Sequence, residues 1–176
     1  MNLKTKIAVV FIFSQFILLS SCLKVETFPD EPVITYKSFE VFEDSAIVTI
    51  SFTDGDGDIG LENGDTLGDF APESFFHSNA YLEYYELMNG EWVQGTADPA
   101  GNNFPTADTI VFTNRLPNIT PIGQNKALKG DIRLTLEPNY FNPFSNFNDS
   151  IKYKIILIDR ALNISNSVET EVIITQ

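Results

Sequence analysis

Apolar residues at every second position constrain the fold of this chain more than any other feature. In 45–53 they alternate with serine and threonine, and in 131–137 they alternate with charged residues and threonine. Successive side chains of a strand point to opposite faces, so these runs predict strands with one face in a core. From Val33 onward, no stretch shows a sustained helical period. The pattern predicts strands over 33–42, 45–53, 80–88, 91–94, 108–115, 131–137, 150–158 and 168–174.

About eight strands separated by Gly, Asn, Asp and Pro predict an all-β fold, a single immunoglobulin-like β-sandwich over residues 33–176. The pair Asn89-Gly90 is the strongest hairpin signal, because both residues tolerate the positive φ of a type I′ turn. The stretches 54–79 and 95–107 are long for connections in a compact domain. Either a short strand lies near 74–77, or these loops form the working surface.

The N-terminus predicts an exported protein. Lys4 and Lys6 precede the apolar run 7–19, which is shorter than the roughly 20 residues of a comfortable membrane span. This pattern is typical of a cleaved signal peptide, here residues 1–21. The only cysteine, Cys22, follows Leu-Ser-Ser, and this segment resembles the lipobox of bacterial lipoproteins. The resemblance implies lipidation of Cys22 as the mature N-terminus, and the alternative is an ordinary buried cysteine after a secretion signal.

Residues 22–32 are predicted to be the lipidated cysteine and a flexible, polar tether, since the segment carries three acids and two prolines. Acyl chains on one residue anchor a protein almost permanently, at ~0.8 kcal/mol per buried methylene. Leucine rather than aspartate follows the cysteine, so we expect the outer membrane, on its periplasmic or cell-surface face. The membrane is therefore the first expected partner.

The charge of the chain is strongly acidic and unevenly placed. There are 24 acidic and 11 basic residues, for a formal net charge of −13. No Lys or Arg occurs between Lys37 and Arg115, whereas 15 acidic residues do. Half of the domain therefore presents an almost purely negative field, which excludes a nucleic-acid partner bound through a basic surface.

The most concentrated acidic segment is DGDGDIGLENGD, residues 54–65. Carboxylates about 6 Å apart repel by roughly 3 kcal/mol at an effective dielectric near 20. Calcium would offset this repulsion, because it takes about six to eight oxygen ligands from flexible loops. The segment is not an EF-hand, since isoleucine stands where that loop requires glycine. It predicts a calcium loop of another kind with Asp54, Asp56, Asp58 and Asp65 as ligands, and the alternative is a solvated turn without an ion.

A second segment is expected to meet this loop. In an immunoglobulin-like sandwich, the loop after the second strand and the loop before the last strand lie at the same end. Asp159 and Asn163 would then complete the calcium shell. Alternatively, Arg160 neutralises the acidic loop by an ion pair, which would remove the need for a metal. A loop carrying Lys126 and Lys129 is expected at the same end and fits either interpretation.

Four segments together resemble a known family. The lipobox, FTDGDGDIGLENGD, GQNKALKGDIRLTL and IKYKIILIDRALNISN resemble a family of small surface lipoproteins of the Bacteroidota, over most of the mature chain. The resemblance implies a location and a sandwich fold rather than a reaction. Its implied calcium loop corresponds here to Asp54, Asp56 and Asp58. Three-residue matches also resemble the O-glycosylation sites of that phylum, at 44–46, 65–67, 108–110 and 149–151.

The sequence does not predict an enzyme. His77, the only histidine, lies beside two phenylalanines without a serine or cysteine motif to serve. Glu83 and Glu86 fall on opposite faces of their predicted strand, so they would not flank one glycosidic bond. A non-catalytic binding or adhesion role, with a glycan or protein partner at the cell surface, is the preferred interpretation. The alternatives are a glycan-binding accessory module of a polysaccharide-uptake system and, with less support, a carboxylate-based hydrolase.

Aromatic residues are the evidence for binding. A group near the predicted hairpin and another in an Asn-rich loop would stack on sugars or protein partners if exposed. Core packing is the preferred interpretation for most of them. The two groups are Tyr81, Tyr84, Tyr85 and Trp92, and Phe141, Phe144 and Phe147.

Overall fold

Nine strands in two antiparallel sheets, with the 3-10 helices Gly68–Phe70 and Phe75–His77, make up the regular structure of residues 26–97 and 108–175, which are the residues that the computed structural model describes. The predicted signal peptide 1–21 and the predicted lipidation site Cys22 lie outside these residues. The strands are β1 (Val33–Phe42), β2 (Ser45–Asp54), β3 (Ala80–Met88), β4 (Glu91–Gln94), β5 (Val111–Asn114), β6 (Leu128–Leu136), β7 (Ser150–Leu157), β8 (Val168–Glu169) and β9 (Ile173–Ile174).

The strand order is that of an immunoglobulin-like sandwich. One sheet has the order β1-β2-β6, and the other has the order β4-β3-β7-β8, with β5 paired to β3 and β9 paired to β7. Such folds place their first, second, fifth and fourth strands in one sheet and their third, sixth and seventh in the other. Here β1, β2 and β6 correspond to the first, second and fifth strands, and β3, β7 and β8 correspond to the third, sixth and seventh. The short strands β4 and β5 are additional, and both pair with β3. The predicted all-β sandwich is therefore confirmed.

The predicted hairpin turn is confirmed, whereas the strand suspected near 74–77 is not. Asn89 and Gly90 have φ values of 54° and 88°, as the hairpin prediction required. The suspected strand near 74–77 is wrong: Phe75–His77 is a 3-10 helix, because the Ser74 hydroxyl accepts the Phe76 N–H at 3.1 Å and so favours a helical turn over extended pairing.

The predicted closing strand 168–174 is two short strands, β8 and β9, rather than one. Between them, the hydroxyl of Thr170 accepts the Tyr153 N–H at 3.0 Å, and the Thr170 N–H donates to the Tyr153 carbonyl at 2.9 Å. A side chain thus replaces a backbone acceptor in the ladder, and the strand is interrupted there. The sixth strand begins at Leu128 rather than Asp131, because its first residues pair with the end of β2.

The core lies between the two sheets and follows the predicted alternation. Tyr84 and Tyr153 are fully buried at its centre with their rings 5.7 Å apart, and Phe39 stacks on Tyr153 at 6.0 Å. Core packing is thus confirmed for Tyr84, and Tyr81 is also buried, whereas Tyr85 and Trp92 are only partly buried. The fully buried aliphatic side chains include Val48, Ile50, Leu82, Leu134, Leu136, Ile151, Ile155 and Leu157.

One end of the sandwich, here called the loop end, gathers three connections: residues 55–79, 115–127 and 158–167. Their common position follows from register, since Asp54 pairs with Leu128, and Ala80 pairs with both Asn114 and Leu157. The predicted coincidence of the loops after β2 and after β7 is therefore confirmed. The segment 26–32 also lies here, because the Pro29 carbonyl accepts the Gly55 N–H at 2.7 Å.

Candidate metal centre

Three aspartates meet at the loop end. One carboxylate oxygen from each of Asp54, Asp56 and Asp58 lies within 4.8 Å of the others. Asp54 ends β2 in phase with the inward-facing Phe52, so the strand's own period turns its side chain inward, and none of Asp54 is exposed to solvent. Gly57 has a φ of 66°, which favours glycine, and a Cβ there would overlap the Lys126 carbonyl. The chain can therefore curl Asp56 and Asp58 back toward Asp54.

Several oxygens of this group are buried without a hydrogen-bond partner. They are both carboxylate oxygens of Asp54, Oδ1 of Asp56 and Oδ1 of Asp58. A buried ionised group without a partner is strongly unfavourable, and proteins avoid it by neutralisation, pairing or metal coordination. Protonation or a bound cation would each relieve this group.

The pKa values of Asp54 and Asp58 reflect the same crowding of carboxylates. Burial and the neighbouring carboxylate of Asp56 raise the pKa of Asp54 from 3.8 to about 7. Burial, with the charges of Asp159 and Asp56, raises the pKa of Asp58 to about 6. Backbone hydrogen bonds from Gly57 to Asp54, and from Arg160 and Ala161 to Asp58, oppose these rises without cancelling them.

Asp159 lies near Asp56 and Asp58, and Asp159 and Asn163, both predicted ligands, bind each other. The Asp159 carboxylate accepts the Asn163 N–H at 2.7 Å and the Asn163 side-chain amide at 2.8 Å. Asp159 is buried, and burial raises its pKa although these hydrogen bonds oppose the rise. Its charge acts on Asp58, so Asp159 borders the group and shapes its field without belonging to the cluster of three.

Asp65 is placed differently from the other predicted ligands. One of its oxygens accepts from the Arg160 guanidinium at 2.9 Å, and the other accepts the Glu62 N–H at 2.8 Å. The ion pair that was the alternative to a metal therefore forms, but with Asp65 rather than with the three clustered aspartates. Arg160 also donates its backbone N–H to the Asp58 carbonyl at 3.3 Å, which ties the two loops together.

The other cations at the loop end are also engaged elsewhere. Lys126 donates to the Pro121 carbonyl, and Lys129 pairs with Glu26. Among the residues that the structure describes, no lysine or arginine forms an ion pair with Asp54, Asp56 or Asp58.

Sequence reasoning missed two residues that organise these loops. The Arg115 guanidinium donates to the carbonyls of His77, Glu62 and Asp65, the last at 2.7 Å. Buried Asn79 accepts the Leu116 N–H through its side chain at 2.6 Å. Arg115 could have been found from its place as the first cation after a long acidic stretch, but Asn79 carries no comparable signal.

The residues considered for catalysis have structural partners. His77 Nδ1 bonds the Phe70 carbonyl at 3.0 Å within its own loop. Glu83 and Glu86 face opposite sides of β3, as predicted, and Glu83 pairs with Lys154 at 3.4 Å. Glu86 is buried, where it accepts from the Tyr84 hydroxyl at 2.9 Å and the Ser145 hydroxyl at 2.6 Å. Sequence reasoning missed this buried network.

Comparison with known proteins adds no relationship. No protein-family model matches this chain, and no significant match was found among curated proteins or among solved structures. Within residues 26–97 and 108–175, no helix has the length and apolar character needed to cross a bilayer.

Proposed function

We propose that this protein is a non-catalytic, lipid-anchored protein of the outer membrane whose β-sandwich binds a structural calcium ion at the loop end and serves binding or adhesion. The observation that supports the calcium site is Asp54, whose two carboxylate oxygens are buried without a partner beside Asp56 and Asp58. The lipid anchor rests on the signal-like N-terminus and Cys22.

The donor set favours calcium over other metals. All three side chains offer carboxylate oxygens, which suit hard cations, whereas zinc and copper select histidine and cysteine. The only histidine bonds Phe70, and the only cysteine is Cys22. Magnesium demands near-ideal octahedral geometry and keeps its water, so a glycine-containing loop that supplies three clustered carboxylates suits calcium better.

The ion would act on stability and shape. Three carboxylates in one group repel each other, and a divalent cation would offset most of that charge. Asp54 belongs to β2, whereas Asp56 and Asp58 belong to the long connection 55–79. A shared ion would therefore hold the start of this connection against the sandwich, and would stiffen a surface available to a partner.

Calcium titration of the purified mature protein tests the site. A ligand at about 100 times its dissociation constant adds roughly 2.7 kcal/mol to stability, which corresponds to a rise of about 5–10 °C in Tm for a chain of this size. Asp56→Asn should remove most of this rise. The matched control is Asp69→Asn, an exposed aspartate outside the group, which makes the same charge change. Identical melts in calcium and in EDTA would refute the site.

Mass spectrometry and fractionation test the anchor. The mature N-terminal peptide should carry acyl groups on Cys22, and Cys22→Ser should release the protein from the membrane fraction. Unmodified Cys22 in a chain that still partitions with the membrane would refute lipidation.

Glycan binding is the second candidate, and one observation favours it. Trp92 and Tyr85 are partly exposed on adjacent strands, and the Lys152 ammonium lies 4.9 Å from the Trp92 ring centroid. Aromatic faces of this kind can stack on sugars. A glycan array should then give signals that Trp92→Ala abolishes and that Phe144→Ala, at an exposed aromatic residue elsewhere, leaves unchanged.

A further inference from the structure

The two most exposed large apolar side chains of the described residues lie at the loop end. Ile122 is fully exposed, at 104% of its reference accessible area, and Leu67 is 83% exposed. Ile164, on the third connection of this end, is 51% exposed, which is less than Phe144 and Ile174 at the opposite end. Each of the three loops thus presents at least one aliphatic residue to solvent, and the loop of Ile122 also presents Ile119. Apolar groups held in water at the tips of several neighbouring loops indicate a surface that meets an apolar phase.

Hydrogen bonds and an ion pair join the loops that carry these three side chains. The Ile119 N–H donates to the Ile59 carbonyl at 3.2 Å, and this bond joins the loop of Ile122 to the loop of Leu67. Arg160 joins the loop of Ile164 to Asp65, two residues before Leu67. Leu67, Ile122 and Ile164 therefore lie on loops that are bonded to one another.

The N-terminal segment emerges at the same end. The Pro29 carbonyl accepts the Gly55 N–H at 2.7 Å, and Glu26 pairs with Lys129. Only four residue steps separate Glu26 from Cys22, so at roughly 3.3–3.6 Å per residue Cys22 lies within about 14 Å of Glu26. If Cys22 is lipidated, the bilayer that receives its acyl chains is within reach of the loop end.

We infer that the loop end is a membrane-docking surface: the sandwich rests with Leu67, Ile122 and Ile164 in the head-group region of the bilayer that holds its anchor. This inference rests on the proposed lipidation of Cys22. The anchor makes docking intramolecular, so that weak partitioning of a few side chains is sufficient. The acidic charge of this end favours zwitterionic over anionic lipids, and a cation held by the three aspartates would reduce the repulsion further.

Depth-dependent fluorescence quenching tests the docking surface. The lipidated full-length mature protein carries Trp92→Phe, which removes the only tryptophan, and either Leu67→Trp or Ile122→Trp. It is reconstituted with calcium into phosphatidylcholine–phosphatidylethanolamine vesicles that contain brominated acyl chains. We expect blue-shifted emission and a loss of intensity relative to unbrominated vesicles, for both positions.

The matched control is Phe144→Trp in the same background. Phe144 is 65% exposed and lies in the connection between β6 and β7, at the end opposite the loop end, so its emission should stay unquenched. Equal melting temperatures would show that the three variants are folded alike.

The outcomes separate the two proposals. Acylated protein whose probes at 67 and 122 are unquenched, or are quenched no more than the probe at 144, overturns the docking surface and leaves the anchor intact. Absence of acyl groups on Cys22 overturns the anchor and the docking inference with it. Quenching confined to positions 67 and 122 supports both.

Discussion

Replacing Asp54 with asparagine should have opposite effects on stability without and with calcium. In EDTA at about pH 8, above its raised pKa of about 7, the Asp54 carboxylate is ionised and its oxygens have no partner. Asparagine has the same shape, removes the charge, and can donate its amide N–H groups to the oxygens of Asp56 and Asp58. Asp54→Asn should therefore stabilise the calcium-free protein, although substitutions of fully buried residues usually destabilise.

The size of this stabilisation follows from the change in the pKa of Asp54 on folding. The difference between 3.8 and about 7, at about 1.4 kcal/mol for each tenfold change, sets an upper limit of about 4 kcal/mol on the cost of ionised Asp54 at pH 8. Solvent reaches the partly exposed Asp56 and Asp58, so screening reduces this to on the order of 2 kcal/mol. The expected gain in Tm is then about 4–8 °C.

Thermal melts of the mature protein and the variant, each in EDTA and in saturating calcium, measure this effect. The unsubstituted protein should gain about 2.7 kcal/mol from calcium at 100 times its dissociation constant, and Asp54→Asn should gain little. Asp69→Asn is the charge-matched control. Destabilisation by Asp54→Asn in EDTA would show that the carboxylate has a favourable partner, and an unchanged calcium response would show that Asp54 is not a ligand.

Three further predictions concern the loop end and the core. Because folding raises the pKa of Asp54 from 3.8 to about 7, the folded state binds protons more tightly, so stability in EDTA should fall as pH rises between these two values. Chemical denaturation at each pH should show a smaller fall in saturating calcium. Gly60→Ala should destabilise by at least about 2 kcal/mol in urea unfolding, because its Cβ would overlap the Pro117 carbonyl at a φ of 95°. Gly68→Ala, at a φ of 61° with open space around it, should cost only about 1 kcal/mol, and equal costs would refute the steric argument. Glu86→Ala should cost about 2–3 kcal/mol, since it leaves the buried Tyr84 hydroxyl without its acceptor; a neutral result by calorimetry would contradict this role.

Local sequence patterns predicted the strands better than they predicted where the strands end. The alternation in β2 and β7 is a property of consecutive residues, and it identified both strands and their buried faces. The break between β8 and β9 depends on Thr170 meeting the backbone of Tyr153, 17 residues earlier. A contact of that kind depends on the register between strands, which no local pattern contains.

The residue pattern was enough to predict the sandwich and the hairpin at Asn89 and Gly90, because both depend on side-chain period or on the backbone freedom of one or two residues. Which acid each cation meets depends instead on how segments distant in sequence pack together. Arg160 and Asp65 are 95 residues apart and pair at 2.9 Å, because the strand registers bring their loops to one end. Within the described part of the chain, the same packing brings no such partner to Asp54, Asp56 and Asp58. The sequence could therefore suggest the candidate site, but the fold was needed to define it.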